Sequence, residues 1–266
     1  MIDIHSHILW GLDDGARECD DNIAMLRIAA EFGTTDIVAT PHSDLRYAFQ
    51  PDLMSERIAQ LTAVSSGLPR IHKGCDFHLS YQNIQDALAF PSKYTINGLG
   101  YLLVELAEAF IPRSLDEILE QFVQRGILPV ITHPERNLPL RKDLARLEKW
   151  VNFGCAVQIT AQSLGDRFGK EAKRSAWSML KKGLVHVVAS DAHDVKYRPP
   201  RLDIARGLLT EEMDAGATRL LLVENPVAIL NGAPIRPIAA AKKWYSFKST
   251  GSLTVAARNE TTEPRP

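Results

Sequence analysis

Nine side chains with ligand chemistry sit at or near the ends of apolar runs in this 266-residue chain: His5, His7, Asp14, His42, Asp76, Glu105, His133, Asp191 and His193. The clearest run is His133, Pro134, Glu135, Arg136 and Asn137, which follows the apolar segment 126–132. Pro134 has no backbone N–H to give, so it ends a sheet ladder. His133 is thereby left at the carboxyl end of a buried strand, where α/β folds place their chemistry. Imidazole and carboxylate together suit zinc, manganese and iron. Nine such groups exceed the needs of one ion and suffice for two or three if a carboxylate such as Glu105 bridges. A lone histidine at a strand end is ordinarily a hydrogen-bonded structural residue. The same chemistry at strand end after strand end points instead to a polynuclear metal site. His72 and His186 read as structural.

The elements that must position these groups follow from periodicity. Short apolar runs are expected as strands at 1–4, 35–40, 70–77, 99–106, 127–132, 156–160 and 184–189. Alternation puts His5 and His7 on one face. Helical patterns fill the intervals: from Asp20 or Asn22 to about Phe32 with Gly33 as the C′ residue, 52–64, 114–125, 143–153, 170–182 and 201–214. Ser114 with Glu117 three residues on reads as a capping box. Seven apolar runs alternating with helices at roughly 30-residue spacing indicate βα units around a parallel sheet. A closed or nearly closed seven-stranded barrel fits best, and an open doubly wound sheet is the second choice. No linker divides the chain. One domain is expected over 1–238, with 239–266 as a C-terminal extension, partly disordered.

Composition narrows the function. The net charge is −1, so no long-range field draws the protein to nucleic acid or to a lipid surface. No stretch of about 18 apolar residues occurs, so no membrane insertion is expected. The three cysteines (Cys19, Cys75, Cys155) are widely spaced with no C-x-x-C pair, which fits a reducing cytoplasm.

His5-Ser6-His7 with Asp14, Pro41-His42, Glu105, the 133–137 run and Ser190-Asp191-Ala192-His193 resemble the polymerase and histidinol phosphatase (PHP) superfamily. Within it, residues 1–8, Asp13-Asp14-Gly15 and residues 133–136 are similar to the manganese-dependent protein-tyrosine phosphatases of bacterial capsule and exopolysaccharide loci. The resemblance runs from Met1 to about Ile235 and implies a distorted (β/α)7 TIM-like barrel. It implies two or three divalent ions, Mn2+ foremost, with Fe, Zn, Co or Mg as substitutes. His5 and His7 would hold one ion with Glu105 and Asp191. His42, Asp14 and His193 would hold another. His133 would serve the remaining ion, with Glu105 bridging and Asp76 supporting. The family pattern reads Gly-x-Glu where this chain has Gly74-Cys75-Asp76, one methylene shorter. Arg136 and Arg198 match positions that engage phosphate.

The implied reaction is hydrolysis of phosphotyrosine by a metal-activated hydroxide. The implied partner is a phosphotyrosine-bearing protein, a bacterial tyrosine kinase tail in the cytoplasm. The rivals are histidinol phosphatase, a 3′–5′ exonuclease and a non-catalytic partner of a tyrosine kinase. Near-neutral charge without a basic stripe disfavours the exonuclease. A cysteine-nucleophile phosphatase needs Arg six residues after Cys, and those positions hold Met25, Tyr81 and Ala161. Replacing all three cysteines by alanine is therefore expected to leave most phosphatase activity, and a chelator to abolish it. Loss of activity in a folded triple variant would contradict the metal mechanism.

Overall fold

Every strand pairing among the described residues is parallel, as apolar runs separated by helices require. The structure is a computed structural model and describes residues 1–64, 67–107 and 110–238. The expected C-terminal extension, 239–266, lies outside the described residues. The strands are β1 (Ile2–Ser6), β2 (Asp36–Ala39), β3 (His42–Ser43), β4 (Arg70–Lys73), β5 (Asp76–His78), β6 (Tyr101–Glu105), β7 (Leu128–Thr132), β8 (Ala156–Thr160) and β9 (Val187–Ala189). The helices are, in order, α1 (Cys19–Glu31), α2 (Pro51–Val64), α3 (Tyr81–Ala89) and α4 (Leu115–Gln124). They are followed by α5 (Leu138–Lys142), α6 (Leu144–Asn152), α7 (Gly169–Lys181), α8 (Asp203–Glu212), α9 (Ala215–Arg219) and α10 (Asn225–Leu230).

The ladder falls into two sheets, β1-β2-β4 and β3-β5-β6-β7-β8-β9. The expected strand 70–77 is divided between them, and the one over 35–40 is continued beyond Pro41 by β3 in the other sheet. Pro41, with no N–H, separates β2 from β3, and Gly74-Cys75 separates β4 from β5. Joining these halves gives the seven strand positions expected from periodicity. Closure is partial: β9 meets β1 through the Ser6–Ala192 bridge, with Asp191 N–H donating to His5 O (2.9 Å) and His7 N–H to Ala192 O (2.7 Å). Among the described residues no full ladder joins them.

Alternation sorts the side chains. Tyr101 and Leu103, Val130, Ala156, Val187 and Ala189 share one buried cluster with Ile2, Ile4 and Val38, the interior between strands. Ile229 and Leu230 of α10 pack into the same cluster. Leu102, Val104, Ile131, Val157 and Val188 point the other way, against Leu119 and Phe122 of α4 and Met179 and Leu180 of α7. In β1 the register skips: Asp3 faces Ile37 but Ser6 faces Ala39, one residue more on β1 than on β2. Such a bulge re-aims a side chain, and it lies just where His5 reaches across to Gln158 of β8.

Several local expectations are corrected. The first strand runs to Ser6 and not to Ile4. α1 begins at Cys19, its entry fixed by the Asp21 carboxylate accepting from Glu18 N–H, so the cap lies earlier than Asp20. Ser114 precedes α4 but already has helical backbone angles and makes no side-chain cap bond, so the capping box does not form. The short helices α3, α5 and α9 carry no long apolar stripe and were not anticipated.

Gly74 shows why the third strand breaks where it does. A Cβ there would lie 2.7 Å from Val38 Cγ1 and 3.0 Å from Thr40 Cγ2. Gly74→Ala is expected to cost about 1–3 kcal/mol by overpacking, read as a lowered thermal midpoint. Because Asp76 lies two residues on, divalent-ion affinity should fall with it. A variant as stable as wild type would show that the neighbouring strand yields freely.

Candidate metal centre

The carboxyl ends of the strands bring all nine expected ligand groups to one region. β1 delivers His5 and His7, and the loop after it Asp14. β3 opens with His42, β5 opens with Asp76, β6 ends at Glu105, and His133, Asp191 and His193 follow β7 and β9. Two of these residues hold left-handed backbone angles that side chains disfavour: His133 (φ 34°) and Asp191 (φ 53°). Each costs on the order of 1–3 kcal/mol, a strain that concentrates at functional sites.

The imidazoles are aimed by partners on their outer nitrogens. His5 Nδ1 lies 2.9 Å from Gln158 Oε1, His7 Nδ1 2.6 Å from Asp13 Oδ2, and His193 Nδ1 3.0 Å from the Asp191 carbonyl. Each contact places the proton on Nδ1 and leaves Nε2 with its lone pair facing inward. His5 Nε2 and His7 Nε2 consequently face each other at 3.3 Å. Asp191 Oδ1 is 3.5 Å from both of these nitrogens, and Asp76 Oδ2 is 3.4 Å from His5 Nε2. On the other flank Asp14 Oδ1 lies 3.4 Å from His42 Nε2 and 3.5 Å from His193 Nε2. His133 Nε2 is 3.3 Å from Glu105 Oε1. The ligand atoms of His7, Asp14, His42 and His193 all lie within 4.8 Å of one another, as do those of His5, His7 and Asp76.

Buried atoms left without partners test whether cations fit. Both carboxylate oxygens of Asp76, Glu105 Oε2 and His42 Nδ1 are buried and make no hydrogen bond. Such atoms are expensive unless something else meets them, and an oxygen- and imidazole-lined space is what a divalent ion takes. The charge balance agrees. Burial opposes protonation of His7, yet Asp13 and Asp191 raise its pKa to about 9. Burial likewise opposes protonation of His42, and Asp14 and Asp76 still push it up to about 11. Burial and Asp76 push Glu105 up, but His133 and His78 outweigh them and hold it at about 2. Burial and the neighbouring His7 press His193 down to about 4. Protons on His7 and His42 thus stand in for cationic charge.

The arginines occupy a position that the sequence did not disclose. Arg136 Nη1 and Arg198 Nη2 (2.5 Å) both donate to Asp191 Oδ2. They hold that carboxylate so that Oδ1 faces His5 and His7. Arg198 Nε remains a buried donor without a partner. Phe168 lies beneath both guanidinium groups, 4.5 Å and 6.0 Å from its ring centroid.

Further residues belong to the arrangement but were not singled out. Asp13 also accepts from His42 N–H (3.1 Å), Gln158 orients His5, and buried Asp3 accepts from Ser190 N–H (3.0 Å). Glu135 is buried and accepts from Thr160 N–H and Ser163 Oγ, anchoring the 133–137 turn. Gln158 could have been found as an amide inside the apolar run Ala156–Thr160. His78 was passed over and lies 2.5 Å from Glu105. His186, buried against Val157 N–H, and His72, 3.0 Å from Asp36, stand apart from the cluster. Beside Glu105 and His78 opens a cavity of about 420 Å³, lined by apolar Leu79, Ile84, Leu106, Phe110, Ile111 and Leu115.

A parallel α/β fold that gathers histidines and carboxylates at its strand ends defines a metal-dependent hydrolase architecture. The chain belongs to the capsular polysaccharide synthesis CpsB/CapC family, whose model matches residues 1–231. It is 34% identical over 256 residues to the tyrosine-protein phosphatase YwqE of Bacillus subtilis, covering 93% of this chain and 100% of that protein. It is 29% identical to the tyrosine-protein phosphatase CpsB of Streptococcus pneumoniae, over 86% of this chain and 98% of that one. A crystal structure from work on YwqE and CpsB, described as metal-dependent tyrosine phosphatases, superposes with a TM-score of 0.82. That alignment has 32% identity and covers 89% of this chain and 97% of the other. A lactonase from Listeria monocytogenes shares the fold alone, with a TM-score of 0.57 and 12% identity. Among the described residues no helix is long and apolar enough to cross a membrane.

An imidazole must lose its added proton before it can ligate. With His7 at about 9 and His42 at about 11, both carry that proton at neutral pH. Divalent-ion binding is therefore expected to release protons near pH 7 and to tighten as pH rises. Calorimetric titration with Mn2+ in buffers of different ionisation enthalpy checks this. Heats that do not vary with the buffer would contradict it.

Proposed function

We propose that this protein is a metal-dependent protein-tyrosine phosphatase. Its substrate is phosphotyrosine on a bacterial tyrosine kinase that regulates capsule or exopolysaccharide synthesis, and it acts in the cytoplasm. The observation that carries the reading is the convergence of His5, His7 and His193 Nε2 atoms with Asp14, Asp76 and Asp191 beside a pair of arginines. The kinship with YwqE and CpsB supports the same activity, and Mn2+ is the ion we propose. His5, His7, Asp14, His42, Asp76, Glu105, His133, Asp191 and His193 would hold two or three ions. When bound, those ions supply Lewis acidity for the phosphoryl oxygens and for a nucleophilic water.

The chain's own residues supply the rest. Asp191 keeps its place because Arg136 and Arg198 grip its outer oxygen. Arg198 Nε is buried without a protein partner, and a planar guanidinium turned toward a phosphoryl oxygen outperforms an ammonium. The largely apolar cavity beside Glu105 suits an aromatic leaving group. A phenolate, with a pKa of about 10, leaves with less protonation than an alkoxide needs. Tyr197 is exposed, with Arg167 5.6 Å from its ring centroid, and contributes no contact to the cluster.

Turnover of a phosphotyrosine peptide, histidinol phosphate and single-stranded DNA, each with Mn2+, tests the reading. The peptide should give the highest kcat/KM. Arg198→Lys should lower kcat on the order of 10²-fold, as for loss of one transition-state donor, with less change in KM. A higher kcat/KM for histidinol phosphate or DNA would replace the reading with the corresponding activity.

A further inference from the structure

His78 lies at the carboxyl end of β5, two residues after Asp76 and outside the nine groups gathered above. Its Nε2 stands 2.5 Å from Glu105 Oε2, yet neither atom makes a hydrogen bond, and both are buried. Neither atom's bonding capacity is met by hydrogen-bond geometry, so both remain open to a further partner. Both oxygens of Asp76 and His42 Nδ1 are buried and unpartnered in the same place. The ligand atoms of His42, Asp76, His78 and Glu105 lie within 4.8 Å of one another.

His42 cannot serve both sides of this region. Its Nε2 faces Asp14 at 3.4 Å, while its Nδ1 faces Asp76 at 3.3 Å and Glu105 Oε2 at 3.4 Å. A neutral imidazole has one lone pair and one N–H. With the lone pair turned toward Asp14 and His193, Nδ1 carries the proton and can only donate to a carboxylate. The space between Asp76 and Glu105 then lacks an imidazole on this flank, and His78 Nε2 is the one that reaches it.

We propose that His78 is a metal ligand, completing with Asp76 and Glu105 a divalent-cation position separate from the one formed by Asp14, His42 and His193. The proposal rests on the reading of this region as a metal centre. His78 is 30% exposed and borders the largely apolar cavity, so an ion held there would lie at the edge of that cavity.

Mn2+ titration of the full chain by calorimetry, with elemental analysis after gel filtration, tests the assignment. His78→Ala and His78→Gln are compared with wild type, and the thermal midpoint of each metal-free protein is measured as a control for folding. The expected result is one equivalent of Mn2+ lost, or one site weakened at least about tenfold, in both variants with unchanged metal-free midpoints. Spin-echo spectra of the Mn2+-loaded variants should lose one nitrogen coupling. If His78 only positions Glu105 by donating a hydrogen bond, His78→Gln, which keeps a donor, would restore wild-type binding and overturn the proposal. Wild-type isotherms in both variants would overturn it as well. Absence of Mn2+ uptake by wild type would overturn the metal-centre reading together with the proposal.

Discussion

Buried negative charge that its own chain does not neutralise is the constraint on which the rest of this structure depends. Asp76 and Asp191 are nearly inaccessible, and Glu105 is largely covered. Removing such groups from water costs several kcal/mol apiece unless opposite charge comes with them. Among the described residues the fixed cations at the centre are Arg136 and Arg198, and both are committed to one oxygen of Asp191. The remaining oxygens look toward imidazoles, whose protons supply the missing charge until an ion displaces them. Strand ends, bulge and left-handed turns all serve to hold these mutually repelling groups together.

Much of this was legible in the sequence, for identifiable reasons. Strands ending in His133 or Asp191 announce themselves because a ligand-type residue interrupts an apolar run. The seven strand positions follow from spacing that simple periodicity preserves. What the sequence concealed is whatever depends on a single added residue or on a distant partner. The bulge in β1 leaves no mark on composition, yet it decides where His5 points. The division of the second and third strands between two sheets follows from Pro41 and from the closeness of Gly74 to Val38, and only the proline could have been read beforehand. The grip of both arginines on Asp191 joins positions 55 and 7 residues apart in the chain, which no local pattern records.

His78 illustrates a different kind of concealment. It is two residues beyond Asp76, on the same side of the same strand by simple alternation. A strand end that already carries one ligand thus hides a second. Its environment, and not its spacing, distinguishes it from His72 and His186, whose ring nitrogens are engaged by Asp36 and by the Val157 amide.

The division into two sheets carries a mechanical consequence. His5 and His7 ride with β1 in the smaller sheet, whereas His42, Asp76, Glu105, His133, Asp191 and His193 ride with the larger one. Any ion shared by His5, His7 and Asp76 thus ties together two sheets that are otherwise joined by the β2–β3 and β4–β5 connections, the Ser6–Ala192 bridge and a shared apolar cluster. Ligation that favours only the assembled state adds to its stability by mass action. Because the sheets are continuous through Pro41 and Gly74-Cys75, that gain is felt by the whole body and not by one sheet alone.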